Sequence, residues 1–474
     1  DDYGLYNVIA GFVAMLGFIN QSMTNSIQRF INFHMGKGDE EGLLKYFKAS
    51  LTAQLVLGVF IVLIFETFGL WFLNAKMNIS PEKVFDANVV FQLSCLCLLL
   101  NIIKAPYNAI IIAKEKMDFY AYISVAEAII KLFITFSISW IVTFRLSYYA
   151  TMLFVLTMIV YFLTLVYSKR QMANLNFQLY FNKDIFKEVL SFSGWNLFGA
   201  ASGAIKSQGI NVLMNLFFNT VINAARGIAF QVLSGIQQFV SNFQVAINPQ
   251  IVQSYASGDK DRYLKLTYLS AKLSLYLMWV IALPVMANLD LIFDIWLGKE
   301  MVPKYTSLFV YIILFTGLFD ALGSSISVPI YATGNIKRYQ IVTSSIKFMV
   351  LPISYILYRM GFEPAASMYI SLFLAGIEQT SRVFIWGRLV KESPLIYLNK
   401  VVFPASVIIC LSSLIMYLIV EYVTKFNTFL SFGINTMIAV SLAILMIYFI
   451  GLNRIERNQI SNIIRKKYIV KHNK

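Results

Sequence analysis

Apolar runs long enough to cross a bilayer recur thirteen times in this chain, near 4–33, 43–73, 87–112, 119–142, 147–168, 188–216, 220–253, 264–288, 305–333, 338–358, 364–387, 400–421 and 428–452. A helix needs about 20 apolar residues to span the hydrocarbon core. Inside lipid every backbone N–H and C=O must be satisfied within the segment or a closed barrel, so runs of this length specify helices. With 58% hydrophobic and 13% charged residues and a mean hydropathy of +0.68, a chain of 474 residues falls outside the soluble globular class. The expected fold is an all-α polytopic membrane protein.

The chain also overlies itself at an offset of 220. Between Ile27 and Leu57 nine positions match their partners, among them Ile27 with Ile247, Gly38 with Gly258, Asp39 with Asp259, Lys45 with Lys265 and Ser50 with Ser270. Ala113 and Tyr120 match Ala332 and Tyr339 one residue out of that register. Such self-similarity marks two homologous halves. The second half opens with an apolar helix near 188–216 whose partner would lie before Asp1, so we expect two six-helix lobes of which the first lacks its first helix here. The expected division is an N-terminal lobe at 1–168 with five visible transmembrane helices, a cytoplasmic linker at 169–187, a C-terminal lobe at 188–399, two extra helices at 400–452 and a basic cytoplasmic tail at 453–474.

Lys and Arg accumulate on the cytoplasmic side of membrane proteins. One set of alternate loops, with the tail, holds 24 basic residues; the other holds only Lys76, Lys83, Arg145, Lys299, Lys304, Arg359 and Lys425. That asymmetry puts the C-terminus in the cytoplasm. The net charge of +15 is then accounted for by a surface facing anionic headgroups, and no nucleic acid is needed to explain it. The tail from Asn453 onward, with isoleucines set among Arg and Lys, suits the inner leaflet surface. Three cysteines and two histidines at scattered positions supply neither a disulfide framework nor a metal site, and no cofactor is expected.

Eight basic residues remain inside the spans: Arg29, Lys104, Lys131, Lys206, Arg226, Lys272, Lys347 and Arg382. Only Glu66, Glu127, Asp320 and Glu378 share those depths. An ionised group near the bilayer centre costs about 2.5–3.5 kcal/mol, so an excess of cations implies a polar interior that suits an anion. Arg29, Lys104 and Lys272 lie near cytoplasmic ends and are expected to snorkel. Glu127 with Lys131 and Glu378 with Arg382 have the i, i+4 spacing of self-neutralising pairs. Lys206 and Lys347 have no acid at helical spacing, and Arg226 sits near the outer end of its span. Amides cluster on single faces, as in Gln208, Asn211 and Asn215, where they would pair between helices or meet sugar hydroxyls. Pro106, Pro249, Pro284, Pro329 and Pro352 lie in or at the ends of spans and permit kinks.

Three segments, DDYGLYNVIAGFV at the start, SFSGWNLFGAASGAIKSQGINVLMNLFF in the second half and INPQIVQSYASGDKDRYLKL after it, resemble the polysaccharide transporter branch of the multidrug/oligosaccharidyl-lipid/polysaccharide exporter superfamily. The resemblance runs the length of the chain and is to O-antigen and capsule repeat-unit flippases. It implies two six-helix lobes around a central cavity plus two further helices, in the cytoplasmic (inner) membrane of a bacterium. It further implies movement of undecaprenyl-pyrophosphate-linked oligosaccharide from the inner to the outer leaflet by alternating access, with glycan polymerase machinery and membrane lipids as partners. From charge and depth, Lys131, Lys206, Arg226, Lys347 and Arg382 are the expected substrate-binding residues. Glu66, Glu127, Asp320 and Glu378 are the candidates for H+ or Na+ coupling.

Two rival functions stay open. A multidrug or cation antiporter of the same superfamily would share the architecture, although acids rather than bases should then dominate its interior. A membrane glycosyltransferase or glycan ligase would need reactive groups on a sizeable outer loop, and no outer loop here exceeds about twenty residues. Asp290, Asp294 and Glu300 in the longest one make no metal-like pair, and the chain is not expected to be an enzyme.

Overall fold

A computed structural model describes residues 9, 13, 17–75, 81–141, 143–172, 174–175, 178–218, 220–298, 301–422, 429–454 and 456–457. Among these residues the regular structure is entirely helical. In chain order the long helices and one short one are α1 (Gly17–Gly36), α2 (Glu40–Ala75), α3 (Pro81–Ala113), α4 (Met117–Trp140), α5 (Arg145–Gln171), α6 (Lys183–Phe217), α7 (Thr220–Ala256), α8 (Lys260–Ala287), α9 (Leu289–Trp296), α10 (Thr306–Ala332), α11 (Lys337–Arg359), α12 (Ala366–Val390), α13 (Pro394–Tyr422) and α14 (Phe429–Gly451). Nine of the described helices are long and apolar enough to cross a membrane, namely α2–α5, α8, α10, α11, α13 and α14. The remaining expected spans, at 4–33, 188–216, 220–253 and 364–387, are helical where described but less apolar. Their helices carry amides and charges such as Gln208, Asn211, Arg226, Gln238, Glu378 and Arg382.

The chain folds into two compact units. One holds residues up to Ala201 together with Asn248–Lys260; the other holds Ser202–Ile247 and Asp261–Lys474. Helices α6 and α7 therefore contribute to both. In the first unit α3 is the central helix, packed on α1, α2 and α5, with α4 resting on α5. In the second, α12 packs on both α10 and α11. Helices α3, α4 and α5 thus repeat as α10, α11 and α12 in chain order and in the pairs they form. The core of the first unit is the apolar cluster of Ile61, Phe65, Val90, Phe91, Ile102 and their neighbours, joined by a second cluster around Ile27, Phe47 and Tyr107.

The repeated Gly-Asp pair explains how each half turns its hairpin. Gly38 and Gly258 both adopt left-handed backbone, at φ +68° and +79°, a conformation glycine reaches without a Cβ penalty. The same hydrogen bonds close both turns: Asp39 N–H to His34 O at 3.0 Å and Asp259 N–H to Ser254 O at 3.1 Å, with Gly38 N–H to Met35 O and Gly258 N–H to Tyr255 O inside them. This is how a helix end satisfies its last carbonyls. Asp39 then starts α2 by accepting the Gly42 N–H at 2.8 Å and the His34 Nδ1 contact at 2.8 Å. The Gly42 N–H, followed by the His34 ring, holds the Asp39 carboxyl below its ordinary range.

At the end of α1 the packing leaves no space for a side chain. A Cβ on Gly36 would meet the Gln253 carbonyl oxygen and lie 2.5 Å from Gln253 Cα. Gln253 is itself tied by its amide to Ala113 O at 2.9 Å, so its backbone cannot yield easily. Gly36→Ala is expected to cost about 1–3 kcal/mol through overpacking. Thermal unfolding of the purified variant checks this, and an unchanged midpoint would contradict it.

Candidate functional site

The second unit brings a charge cluster together from four helices. Lys206 comes from α6, Asp320 from α10, Lys347 from α11, and Glu378 and Arg382 from α12. Arg382 Nη2 donates to Glu378 Oε1 one turn earlier, and Lys347 Nζ approaches the same oxygen at 3.5 Å. The i, i+4 pair is what the spacing of Glu378 and Arg382 led us to expect. The Lys347 contact crosses between helices, which no spacing within one helix can disclose. Lys206 lies within electrostatic reach of Asp320, Glu378, Lys347 and Arg226. Asp320 is exposed on its unit and lies within reach of Lys206, Arg382, Glu378 and Lys347. Among the described residues neither Lys206 nor Asp320 has an opposite charge within 4.0 Å.

Arg226 is only 3% exposed, yet its partners are neutral. It donates to Asn211 Oδ1, reaches Ser207 Oγ at 3.5 Å and stacks 4.4 Å from the Phe230 ring. The ring quadrupole and the amide dipole partly replace water around the guanidinium. Among the described residues its buried Nε finds no partner. On the same helix Ser234, Gln238, Ser241 and Asn242 form an exposed polar face, with Gln238 donating to Asn242 at 3.0 Å. Gln244 instead points inward and donates to Ser274 and Ser325, both at 3.0 Å. The amide faces read from sequence are thus split between internal pairing and open surface.

Lys131 and Glu127 belong to the first unit, on α4, where they pair at 2.7 Å and Lys131 remains exposed. Glu66 also lies there, in a π-turn over Phe65–Gly69, and accepts the Gln92 amide at 3.0 Å. Of the nine expected site residues, Lys206, Asp320, Lys347, Glu378 and Arg382 therefore meet in one cluster. Arg226 borders it, and Lys131, Glu127 and Glu66 stand in the other unit.

Two residues expected to snorkel do not. Arg29 is buried against Phe30, Phe33 and Phe192, at 4.6, 4.8 and 5.5 Å, and pairs with Glu188 at 3.8 Å. Lys272 is buried and held by both oxygens of Glu456 at 3.1 Å. In each case the buried base is paired with an acid far along the chain, Glu188 being half exposed and Glu456 largely buried, and the side chain does not extend to the headgroups. Lys104 is half-buried and within reach of Glu127 and Lys131.

Sequence reading passed over two further parts of the cluster. Gln379, beside Glu378, is 5% exposed, and neither of its amide atoms has a partner among the described residues. Gly323 on α10 faces Arg382: a Cβ there would overlap the guanidinium and come 3.3 Å from Gln379 Oε1. An amide within an apolar span was a visible signal for Gln379; nothing in the sequence set Gly323 apart. Among the described residues no group of three or more His, Cys, Asp or Glu is placed to hold a metal ion.

The fold matches that of several solved structures. A MATE transporter in complex with MaL6 superposes with a TM-score of 0.69 at 12% identity, over 82% of this chain and 91% of that one. The outward-facing conformation of a multidrug resistance MATE family transporter of the MOP superfamily gives 0.66 at 13% identity, over 83% and 93%. A MOP superfamily transporter from Pyrococcus furiosus, described as having a binding pocket of reversed polarity that suggests a different function, gives 0.60 at 13% identity, over 83% and 93%. The chain is a multi-pass membrane protein with the fold of the MATE transporters of the MOP superfamily. By sequence, no family model and no curated protein matches it.

Proposed function

We propose that this chain is a transporter of the MOP type that carries an anionic lipid-linked oligosaccharide, of the undecaprenyl-pyrophosphate class, from the inner to the outer leaflet of the bacterial cytoplasmic membrane. One observation supports this most: in the cluster of the second unit Lys206, Lys347 and Arg382, with Arg226 at its border, face two acids among the described residues, Asp320 and Glu378. Burying such a surplus is costly unless an anion neutralises it. The amides of α7 and the neighbouring aromatic rings suit sugar hydroxyls. Alternating access of the two units would move the load, and glycan polymerase machinery would receive it.

Glu127 and Glu378 already have basic partners, and Glu66 has only an amide donor. Among the described residues the Asp320 carboxylate has neither a cation at ion-pair distance nor a hydrogen-bond donor, so proton or Na+ coupling is assigned to it first.

A multidrug antiporter is the second reading, favoured by the multidrug transporter among the structural relatives. The two readings separate in a strain deleted for the gene. The flippase reading expects unflipped lipid-linked glycan to accumulate, with no change in drug sensitivity. Normal glycan export together with drug hypersensitivity would overturn it. In the complemented strain, Lys206→Gln and Lys347→Gln are each expected to lower export at least about tenfold while the protein still reaches the membrane. Wild-type export from both variants would remove these lysines from the site.

A further inference from the structure

We infer that Glu378 is a built-in counter-anion that holds Lys347 when the site is empty and yields it to an oxyanion of the substrate. This rests on the anionic substrate proposed above. One oxygen of Glu378 serves two bases unequally. Arg382 is bound on the same helix and wedged against Gly323, whereas Lys347 reaches across from α11 at 3.5 Å. Charge-assisted N–H···O bonds run at about 2.7–2.9 Å, so the Lys347 contact is the loose one. The lysine side chain is 21% exposed and its carboxylate 8%, so an arriving ligand meets the base before the acid.

The neighbours of this pair say what would draw Lys347 away. Among the described residues Lys206 has no acid within 4.0 Å, and it repels Lys347. A ligand with several anionic oxygens turns that repulsion into two attractions, which an internal monoanion already shared with Arg382 cannot do. Arg382 Nε and the Gln379 amide add buried donors that have no partner among the described residues. When Lys347 leaves, Glu378 keeps Arg382, so no buried charge is stranded; this avoids the heavy penalty of breaking a buried pair. When the ligand departs, Glu378 recaptures the lysine and opposes rebinding. The ligand class this favours is a phosphate or pyrophosphate group, because a monoanion could not bridge both lysines as well.

The test is binding of inorganic pyrophosphate, by titration calorimetry, to the full chain in lipid nanodiscs. Saturable binding is expected for the wild type. Glu378→Gln should bind about tenfold tighter, within the range of ordinary coupling between sites, because the competitor is gone. Adding Lys347→Gln to that variant should erase the gain. Should Glu378→Gln not fold, Glu378→Asp keeps the charge near Arg382 but shortens the reach to Lys347, and it should also bind more tightly. Unchanged or weaker binding in these carboxylate variants overturns the inference while leaving the transport reading intact. A wild type that binds no pyrophosphate overturns it too, and glycan export in cells then judges the transport reading separately.

Discussion

Glu456→Gln is expected to destabilise the protein by about 3–5 kcal/mol, because it leaves the Lys272 ammonium buried without its counter-charge. Lys272 is 6% exposed, and both Glu456 oxygens lie 3.1 Å from its nitrogen. The pair is one rung of a stripe along α8. Lys272, Tyr276 and Trp279, spaced as neighbours on one helix face, reach Glu456, Gly451 O at 3.3 Å and Ser412 Oγ at 2.9 Å. This stripe fastens the last two helices to α8 within the second unit. Lys272→Met should cost much less than Glu456→Gln, since it strands only the more exposed partner and leaves an apolar side chain in a buried place. Thermal unfolding in detergent should show a drop on the order of 10 °C for Glu456→Gln. Equal losses for the two variants would mean that the buried charge is not what the pair protects.

Gly323→Ala is expected to lower transport roughly a hundredfold, the effect of misplacing a binding group by about an ångström. The added methyl group would occupy the place of the Arg382 guanidinium, which is anchored by Glu378 and cannot simply swing away. Alanine is the better helix former by about 1 kcal/mol, which offsets part of the roughly 1–3 kcal/mol of overpacking, so the loss of transport should exceed what the change in stability accounts for. Export measured beside thermal unfolding separates the two effects. Normal export from Gly323→Ala would show that the position of Arg382 does not matter to transport.

Much of the fold was legible because its causes are local. Apolar length specifies spanning helices, and the Gly38 and Gly258 turns carry their geometry in two residues each. The pairing of Glu378 with Arg382 and of Glu127 with Lys131 followed from i, i+4 spacing alone. Snorkelling of Arg29 and Lys272 did not follow, because the acids that hold them, Glu188 and Glu456, lie more than a hundred residues away.

The sequence by itself determined that this chain is helical, spans a membrane and repeats its hairpins, since hydrophobic length and turn chemistry act over a few residues. Only the tertiary structure decided which charges meet. It drew Lys206, Asp320, Lys347, Glu378 and Arg382 into one cluster, left Lys131 and Glu127 in the other unit and placed Gly323 under a guanidinium. Contacts between helices depend on how each one is rotated and packed against its neighbours, and no periodicity within a single helix records that rotation.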